Sequence, residues 1–311
     1  MNSTPPLNLV TGGAGFIGSH LCQALLEAGE RVRVLDDFSS GRAENLSGLN
    51  LELLRGDICD PETCRRACAG VDFVFHLAAQ VSVPQSMASP ELSFAVNTRG
   101  TLNLLQAARA AAVRRLIYSS TCAVYGDLPE LPKREDSPLQ PVSPYAAGKL
   151  AGEVWCQAFT YGYRLSTVRL RYFNVYGPRQ DPGSPYSGVL AIFKQRLSQR
   201  LACTIYGDGE TTRDFIFVND VVQANLTARN QPQAHGQVFN VGTGIETSLN
   251  TLYRSLAEIA GVSLPPAYGP ARPGDIPRSV ADLSHIRSEL EWSPAWSLPD
   301  GLRALWQARE L

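Results

Sequence analysis

Tyr145 and Lys149 stand four residues apart in Pro-Tyr-Ala-Ala-Gly-Lys, inside a stretch whose pattern predicts a helix over 144–161. On a helix those two side chains share one face. An ammonium beside a phenol favours the phenolate and draws its pKa down from about 10. The pair reads as a proton-transfer device, Tyr145 as base or acid and Lys149 as its tuner. The chain has 11 Tyr but only 3 Lys (Lys133, Lys149, Lys194), so chance supplies about 0.1 such pairs. The plain alternative is a surface helix pair. Ser119-Ser120-Thr121 closes a predicted strand. Thr121 there can hydrogen-bond a reacting hydroxyl and the tyrosine oxygen, or it can simply cap a loop.

A second constellation is Gly12-Gly13-Ala14-Gly15-Phe16-Ile17-Gly18, between a predicted strand and a predicted helix. Gly12 permits a tight turn, Gly15 lets a pyrophosphate approach the backbone, and Gly18 allows close helix packing. The helix start offers free N–H groups and a positive dipole end. A glycine loop alone is weak, but the next predicted strand ends in Asp36, about 20 residues on. A carboxylate there accepts from ribose hydroxyls and repels a 2′-phosphate, which favours NAD over NADP. Its alternative is a turn residue ahead of Asp37 and Ser39-Ser40-Gly41. Asp57 ends the third predicted strand, placed for the adenine amino group or equally for a helix N-cap. His76-Leu77-Ala78-Ala79 ends the fourth; its small residues would let backbone lie on a cofactor, and His76 reads as a packed histidine.

The elements that must position these residues alternate. Strands are predicted at 7–10, 31–35, 51–54, 71–77, 116–119 and 165–173, with helices at 16–28, 90–112 and 144–161. That alternation is an α/β signature and predicts a doubly wound parallel Rossmann sheet. After Asn174 the texture changes, with a Pro/Gly/Ser-rich loop at 177–188, helices at 189–200 and 220–230, and a strand at 238–241. The expected division is an NAD-binding domain over 1–174, with a segment returning near 220–245, and a smaller α/β substrate-binding lobe over 175–311.

Composition excludes several classes. With 44% hydrophobic residues and a net charge of -1, disorder is excluded, and nothing favours nucleic acid or an anionic membrane. The longest uncharged stretch, 73–90, carries His, Gln, Ser and Pro and is no membrane span. Seven Cys without a Cys-x-x-Cys pair read as reduced thiols in a cytoplasmic protein, and no metal site is expected. The N-terminus shows no signal-peptide pattern.

Taken together, the motifs resemble the extended short-chain dehydrogenase/reductase family, and within it the NAD-dependent nucleotide-sugar 4-epimerases. Thr-Gly-Gly-Ala-Gly-Phe-Ile-Gly-Ser-His over 11–20, Asn97-Thr-Arg-Gly-Thr101, the Tyr145/Lys149 pair, Arg-Tyr-Phe-Asn-Val-Tyr-Gly-Pro over 171–178, Arg213-Asp-Phe and Arg272-Pro-Gly-Asp275 all look like its motifs. The resemblance covers nearly the whole chain.

It implies that Tyr145 takes the proton of a sugar 4-hydroxyl while C4 gives hydride to NAD, and that a 4-keto sugar turns over before hydride returns to its other face. Thr121, Tyr145 and Lys149 would be the catalytic set. Gly12, Gly15, Phe16, Ile17, Gly18, Asp36, Asp37, Ser39, Ser40, Gly41, Asp57, Ile58, Leu77, Ala78, Ala79, Gln80, Asn97, Tyr145, Lys149 and Phe173 fall at the family's NAD positions. Ser82, Thr121, Tyr145, Asn174, Val189, Thr204, Ile205, Arg213, Arg272, Asp275 and Ser279 fall where it holds the UDP-sugar. Relatives that eliminate water carry Asp-Glu after the threonine; here Cys122-Ala123 stands instead, which disfavours elimination. Hexose-only epimerases of this type carry a bulky Tyr where this chain has Ser279, so a 2-acetamido group has room. The resemblance thus implies interconversion of UDP-N-acetylglucosamine and UDP-N-acetylgalactosamine, with polysaccharide supply as its use. UDP-glucose/UDP-galactose or a UDP-uronic acid are the enzymatic alternatives, and a non-catalytic NAD-binding scaffold is the other class. A homodimer through the helices at 90–112 and 144–161 is also implied.

Overall fold

The computed structural model describes residues 4–181, 188–271 and 276–308. The chain begins β1 (Leu7–Thr11), α1 (Phe16–Glu27), β2 (Arg31–Asp36), β3 (Glu52–Arg55), α2 (Pro61–Cys68) and β4 (Phe73–His76). Next come α3 (Val83–Ala88), α4 (Pro90–Ser93), a π-helical segment Phe94–Gly100 and α5 (Thr101–Ala110). β5 (Arg115–Thr121), α6 (Pro144–Tyr163) and β6 (Thr167–Tyr172) complete the alternating part. β1 and β6 are buried along their whole length and β5 at all but its end residues, as a parallel sheet covered on both faces requires.

Among the described residues the main sheet runs β3-β2-β1-β4-β5-β6, with a seventh strand, Val238–Val241, beside β6, and every pairing is parallel. Strand order reverses between β1 and β4, so their carboxyl ends open a crevice where ligands bind in such sheets. One apolar layer packs Leu21, Leu25, Val221 and Ala224 on one face, and another packs Leu104, Leu105, Cys156 and Phe159 on the other.

The rest runs β7 (Asn174–Tyr176), α7 (Val189–Ser198), β8 (Thr204–Tyr206), β9 (Thr212–Phe217), α8 (Val218–Asn230), β10 (Val238–Val241), β11 (Glu246–Ser248), α9 (Leu249–Ala260), β12 (Ala267–Gly269), α10 (Ser284–Leu290) and α11 (Leu298–Gln307). β11, β9 and β7 form a small sheet, and a third core gathers Phe193, Phe215, Phe217, Leu252, Leu256, Leu302 and Leu305. α8 packs on α1, and β10 joins the main sheet, so the chain does return to it after Asn174.

Two regions differ from the expected elements. The helix predicted over 90–112 is interrupted by the π segment, which presents Asn97 to the loop after β4; π turns recur at functional sites. No helix is expected at 249–260 or 298–307. Both are amphipathic and capped, by Ser248 on Thr251 N and by Ser297 on Asp300 N.

Candidate active site

The glycine loop is shaped by backbone contact. A Cβ on Gly18 would sit 2.2 Å from the Gly12 carbonyl oxygen, and one on Gly12 would sit 2.7 Å from Ala78 N, so β1 and β4 meet there with no room for side chains. Gly15, the N-cap of α1, lends no side chain to the helix start, which leaves the first-turn N–H groups at Phe16 and Ile17 for an anion. Asp36 is buried, with Oδ2 accepting from Ala14 N at 2.9 Å and Oδ1 from Phe38 N at 2.8 Å. It ties the glycine loop to the end of β2 and keeps lone pairs for ribose hydroxyls. Asp37 binds Ser39 through N and Oγ at 2.9 and 2.7 Å. Gly41 lies against Ala14 and Asp36, and Ser40 beside it is exposed.

Asp57 is not a helix cap: its carboxylate takes Cys59 N at 2.8 Å, and Asp60 caps α2 instead. Ile58 is buried against Gly100. Asn97 grips the loop after Leu77, Ala78 and Ala79 with both carboxamide atoms, accepting from Gln80 N and donating to Gln80 O at 2.9 Å each. Gln80 Oε1 is buried and has no partner among the described residues, an acceptor that a bound group would satisfy. Ser82 is buried and spends its hydroxyl capping α3 on Gln85 N. These features fit NAD: an anion site, a diol acceptor and an orphaned amide oxygen line one crevice. His76 is packed, as its sequence context suggests, with Nδ1 and Nε2 at 2.8 and 3.0 Å from Thr11 and Thr101 hydroxyls, and burial lowers its pKa to about 3.

At the end of β5, the Thr121 hydroxyl accepts from Ala123 N at 3.2 Å and lies near enough to Tyr145 to influence its phenol. Lys149 is buried and donates from Nζ to the Ser119 carbonyl at 2.8 Å, with its ammonium over the Tyr118 ring. The four-residue spacing predicts a phenol drawn below its ordinary value, and here the structure differs. Burial pushes Tyr145 up to about 12, the nearby Thr121 hydroxyl only partly opposing it, while burial lowers Lys149 to about 8. The ammonium is turned to the strand carbonyl, so desolvation governs the phenol.

Cys122, the next residue, lies near Ser279 and feels the charges of Arg213 and Asp214; burial raises its pKa to about 11. Arg213 lies on β9, which pairs with β7, placing Asn174 opposite Phe215. Phe173 is buried, its ring 6.5 Å from Tyr125. Tyr145, Thr121, Ser279 and Arg213 are thus gathered around the end of β5. Val189 opens α7. Thr204 is exposed on β8, whereas the Ile205 side chain is buried in the third core, which leaves only its backbone for recognition. Arg272 and Asp275 lie outside the described residues. No cluster of three metal-ligating side chains occurs among the described residues, and no described helix is long and apolar enough to cross a membrane.

Two buried carboxylates at the site have no role assigned from the sequence: Asp214, within the Arg213-Asp-Phe motif, and Glu153. Asp214 is fully buried and accepts from Thr243 N and Oγ1, Gly244 N and Ala281 N at 2.6–3.1 Å, joining β9 to the segments after β10 and after Ser279. Glu153 is buried on α6 and paired with Arg171. Its signal was present as a third member of the Tyr145, Lys149 spacing of four.

Residues 8–242 match the model of the NAD dependent epimerase/dehydratase family. This chain belongs to that family. It is therefore an enzyme with NAD as its cofactor. It is similar to a UDP-glucose 4-epimerase of Mycolicibacterium smegmatis, 45% identical over 94% of this chain and 95% of that protein. Its fold matches the UDP-glucose 4-epimerase of Thermotoga maritima solved with UDP-glucose, with TM-score 0.93, 41% identity and 97% of each chain covered. It equally matches a UDP-N-acetylglucosamine 4-epimerase of Methanobrevibacter ruminantium in complex with UDP-N-acetylmuramic acid, with TM-score 0.93, 36% identity and 98% of each chain covered.

Proposed function

We propose that this enzyme inverts C4 of a UDP-sugar, with the UDP-N-acetylglucosamine/UDP-N-acetylgalactosamine pair as favoured substrates. The observation that carries the reading is the junction at β5: Lys149 of α6 held on the Ser119 carbonyl at 2.8 Å, with Tyr145 beside Thr121 on one side and Cys122 near Ser279 and Arg213 on the other. Tyr145 accepts the 4-hydroxyl proton and returns it, Thr121 orients both oxygens, and Lys149 holds the nicotinamide ribose. Bound NAD supplies the hydride acceptor and a positive charge that favours the phenolate. Asn174, Arg213, Arg272 and Asp275 hold the diphosphate and ribose, where arginine forks match phosphate oxygens. Backbone at Val189, Thr204 and Ile205 meets the uracil. Residues 1–174 with the return near 220–245 form the cofactor domain in this reading, and the rest of 175–311 the sugar-nucleotide lobe.

Neither Cys122 nor Ala123 supplies a carboxylate for elimination, which supports epimerisation over dehydration. Ser279 is small and lies near Cys122, which supports room for a 2-acetamido group. UDP-glucose/UDP-galactose is the second reading, supported by relatives that carry that name. Chromatography of purified enzyme with a panel of UDP-sugars and no added NAD tests both. Turnover of UDP-N-acetylgalactosamine is expected; a static peak for every substrate sinks the reading. Ser279→Tyr is expected to lower kcat/KM for N-acetylated sugars at least about tenfold more than for UDP-galactose, and equal losses count against the gate.

A homodimer is part of the proposal. Ala147, Ala151, Val154, Ala158 and Tyr161 form a stripe spaced 4-3-4-3 on α6, and Val154 and Tyr161 are 58% and 72% exposed. Met87 and Phe94, on the helices packed beside α6, are also exposed. Such a seam fits a second copy of itself. Seven free thiols support a cytoplasmic setting.

A further inference from the structure

Three consecutive residues at the end of β5 meet three residues spaced by four on α6. The Ser119 carbonyl takes the Lys149 ammonium at 2.8 Å, and the Thr121 hydroxyl meets the Tyr145 phenol. Between them, Ser120 Oγ donates to Glu153 Oε1 at 2.5 Å. Glu153 is 2% exposed, and both its oxygens are held by the Arg171 fork, Nε to Oε1 at 2.9 Å and Nη2 to Oε2 at 2.8 Å. Arg171 Nη1 donates on to the Tyr125 hydroxyl at 2.9 Å and the Glu135 carbonyl at 3.1 Å, and Tyr125 donates to Asn240 Oδ1 at 2.6 Å. The network thus runs from β10 and β6 through β5 to α6.

A buried ion pair adds little stability over an apolar pair of the same shape, so stability alone does not explain this one. Its geometry does. The Lys149 and Tyr145 side chains join α6 to the strand end, yet both are groups that must act in the reaction. Glu153 is a contact of the same helix face that carries no reactive duty, and it sits one helical turn beyond Lys149. The fork fixes the carboxylate in two directions, and Ser120 fixes the strand to it.

We infer that Glu153, held by Arg171 and Ser120, is a positioning residue that sets where Tyr145 and Lys149 stand against the end of β5. The inference rests on the reading of Tyr145 as the proton-transfer group. Losing the register by a fraction of an ångström would lengthen the reacting distance without altering the sugar-nucleotide contacts on β7 and β9.

Ser120→Ala, Glu153→Gln, Tyr145→Phe and Glu30→Gln are purified with the wild type; kcat and KM are measured per NAD-loaded site, with Tm alongside. Glu30→Gln is the control, since it weakens a partly buried ion pair, Arg229 with Glu30, beside Arg115 at the opposite end of β5 from Ser119, Ser120 and Thr121. Ser120→Ala and Glu153→Gln are each expected to lower kcat about tenfold or more, with KM within about twofold, while Glu30→Gln lowers Tm and leaves kcat per loaded site intact. Wild-type kcat in both Ser120→Ala and Glu153→Gln, whatever their Tm, overturns the positioning role. If Glu153→Gln yields no folded protein, Ser120→Ala decides alone. Activity in Tyr145→Phe would overturn the proton-transfer reading and the inference with it, whereas an inert Tyr145→Phe beside a fully active Ser120→Ala removes only the inference.

Discussion

The phenol of Tyr145 begins well above neutrality because it is buried, and the Thr121 hydroxyl is what draws it back. A hydroxyl beside the phenol oxygen can turn its proton toward a phenolate and so favours the charged form. Thr121→Val removes that hydroxyl. The phenolate then loses its donor, its pKa rises, and less base exists at a given pH. The rising limb of kcat/KM against pH is expected to move up by about one unit, the worth of one hydrogen bond to a charged group. Rates from pH 6 to 10 check this, with Thr121→Ser restoring the wild-type position; a limb that stays put or moves down contradicts it. Ser279 and Asp57 show the other side of the residue scale. Their types were readable, but whether Asp57 capped a helix depended on Asp60, three residues away.

At the scale of elements, the turn from β1 into α1 separates the needs of the fold from those of the cofactor. A Cβ on Gly18 would collide with the Gly12 carbonyl at 2.2 Å, whereas one on Gly15 would meet only that oxygen, at 3.1 Å. Gly18→Ala is therefore expected to cost stability, by about 2 kcal/mol or more as overpacking does, and to lose NAD as a consequence. Gly15→Ala is expected to stay folded, with Tm near the wild type, yet to lose bound NAD, because a methyl there occupies the approach of the pyrophosphate. Thermal melts with the absorbance of co-purified NAD separate the two; a Gly15→Ala enzyme with full NAD contradicts the cradle. The strands of the main sheet were legible because apolar runs buried on both faces leave a plain signature. The interruption at 94–100 was not. A π segment differs from an α-helix by one inserted residue, and only the bond from Asn97 to Gln80 reveals why it is there.

For the whole molecule, the apolar seam on α6 predicts association. Light scattering is expected to give twice the 33.8 kDa chain mass, and Val154→Glu, which buries a charge in the seam, to give monomer with the NAD content retained. A monomeric wild type removes the dimer from the proposal. The sequence by itself determined the doubly wound sheet, the glycine loop with its Asp36 partner and the Tyr145/Lys149 pair, because those depend on periodicity and on spacing within one element. Tertiary structure alone decided which distant groups stand together: Cys122 with Ser279 and Arg213, Asp214 under four donors, and Glu153 between Ser120 and Arg171. It also decided the direction of the Tyr145 shift. Those outcomes depend on which side chains the packed sheet withdraws from water, and desolvation is a property of the assembled neighbourhood that no spacing along the chain encodes.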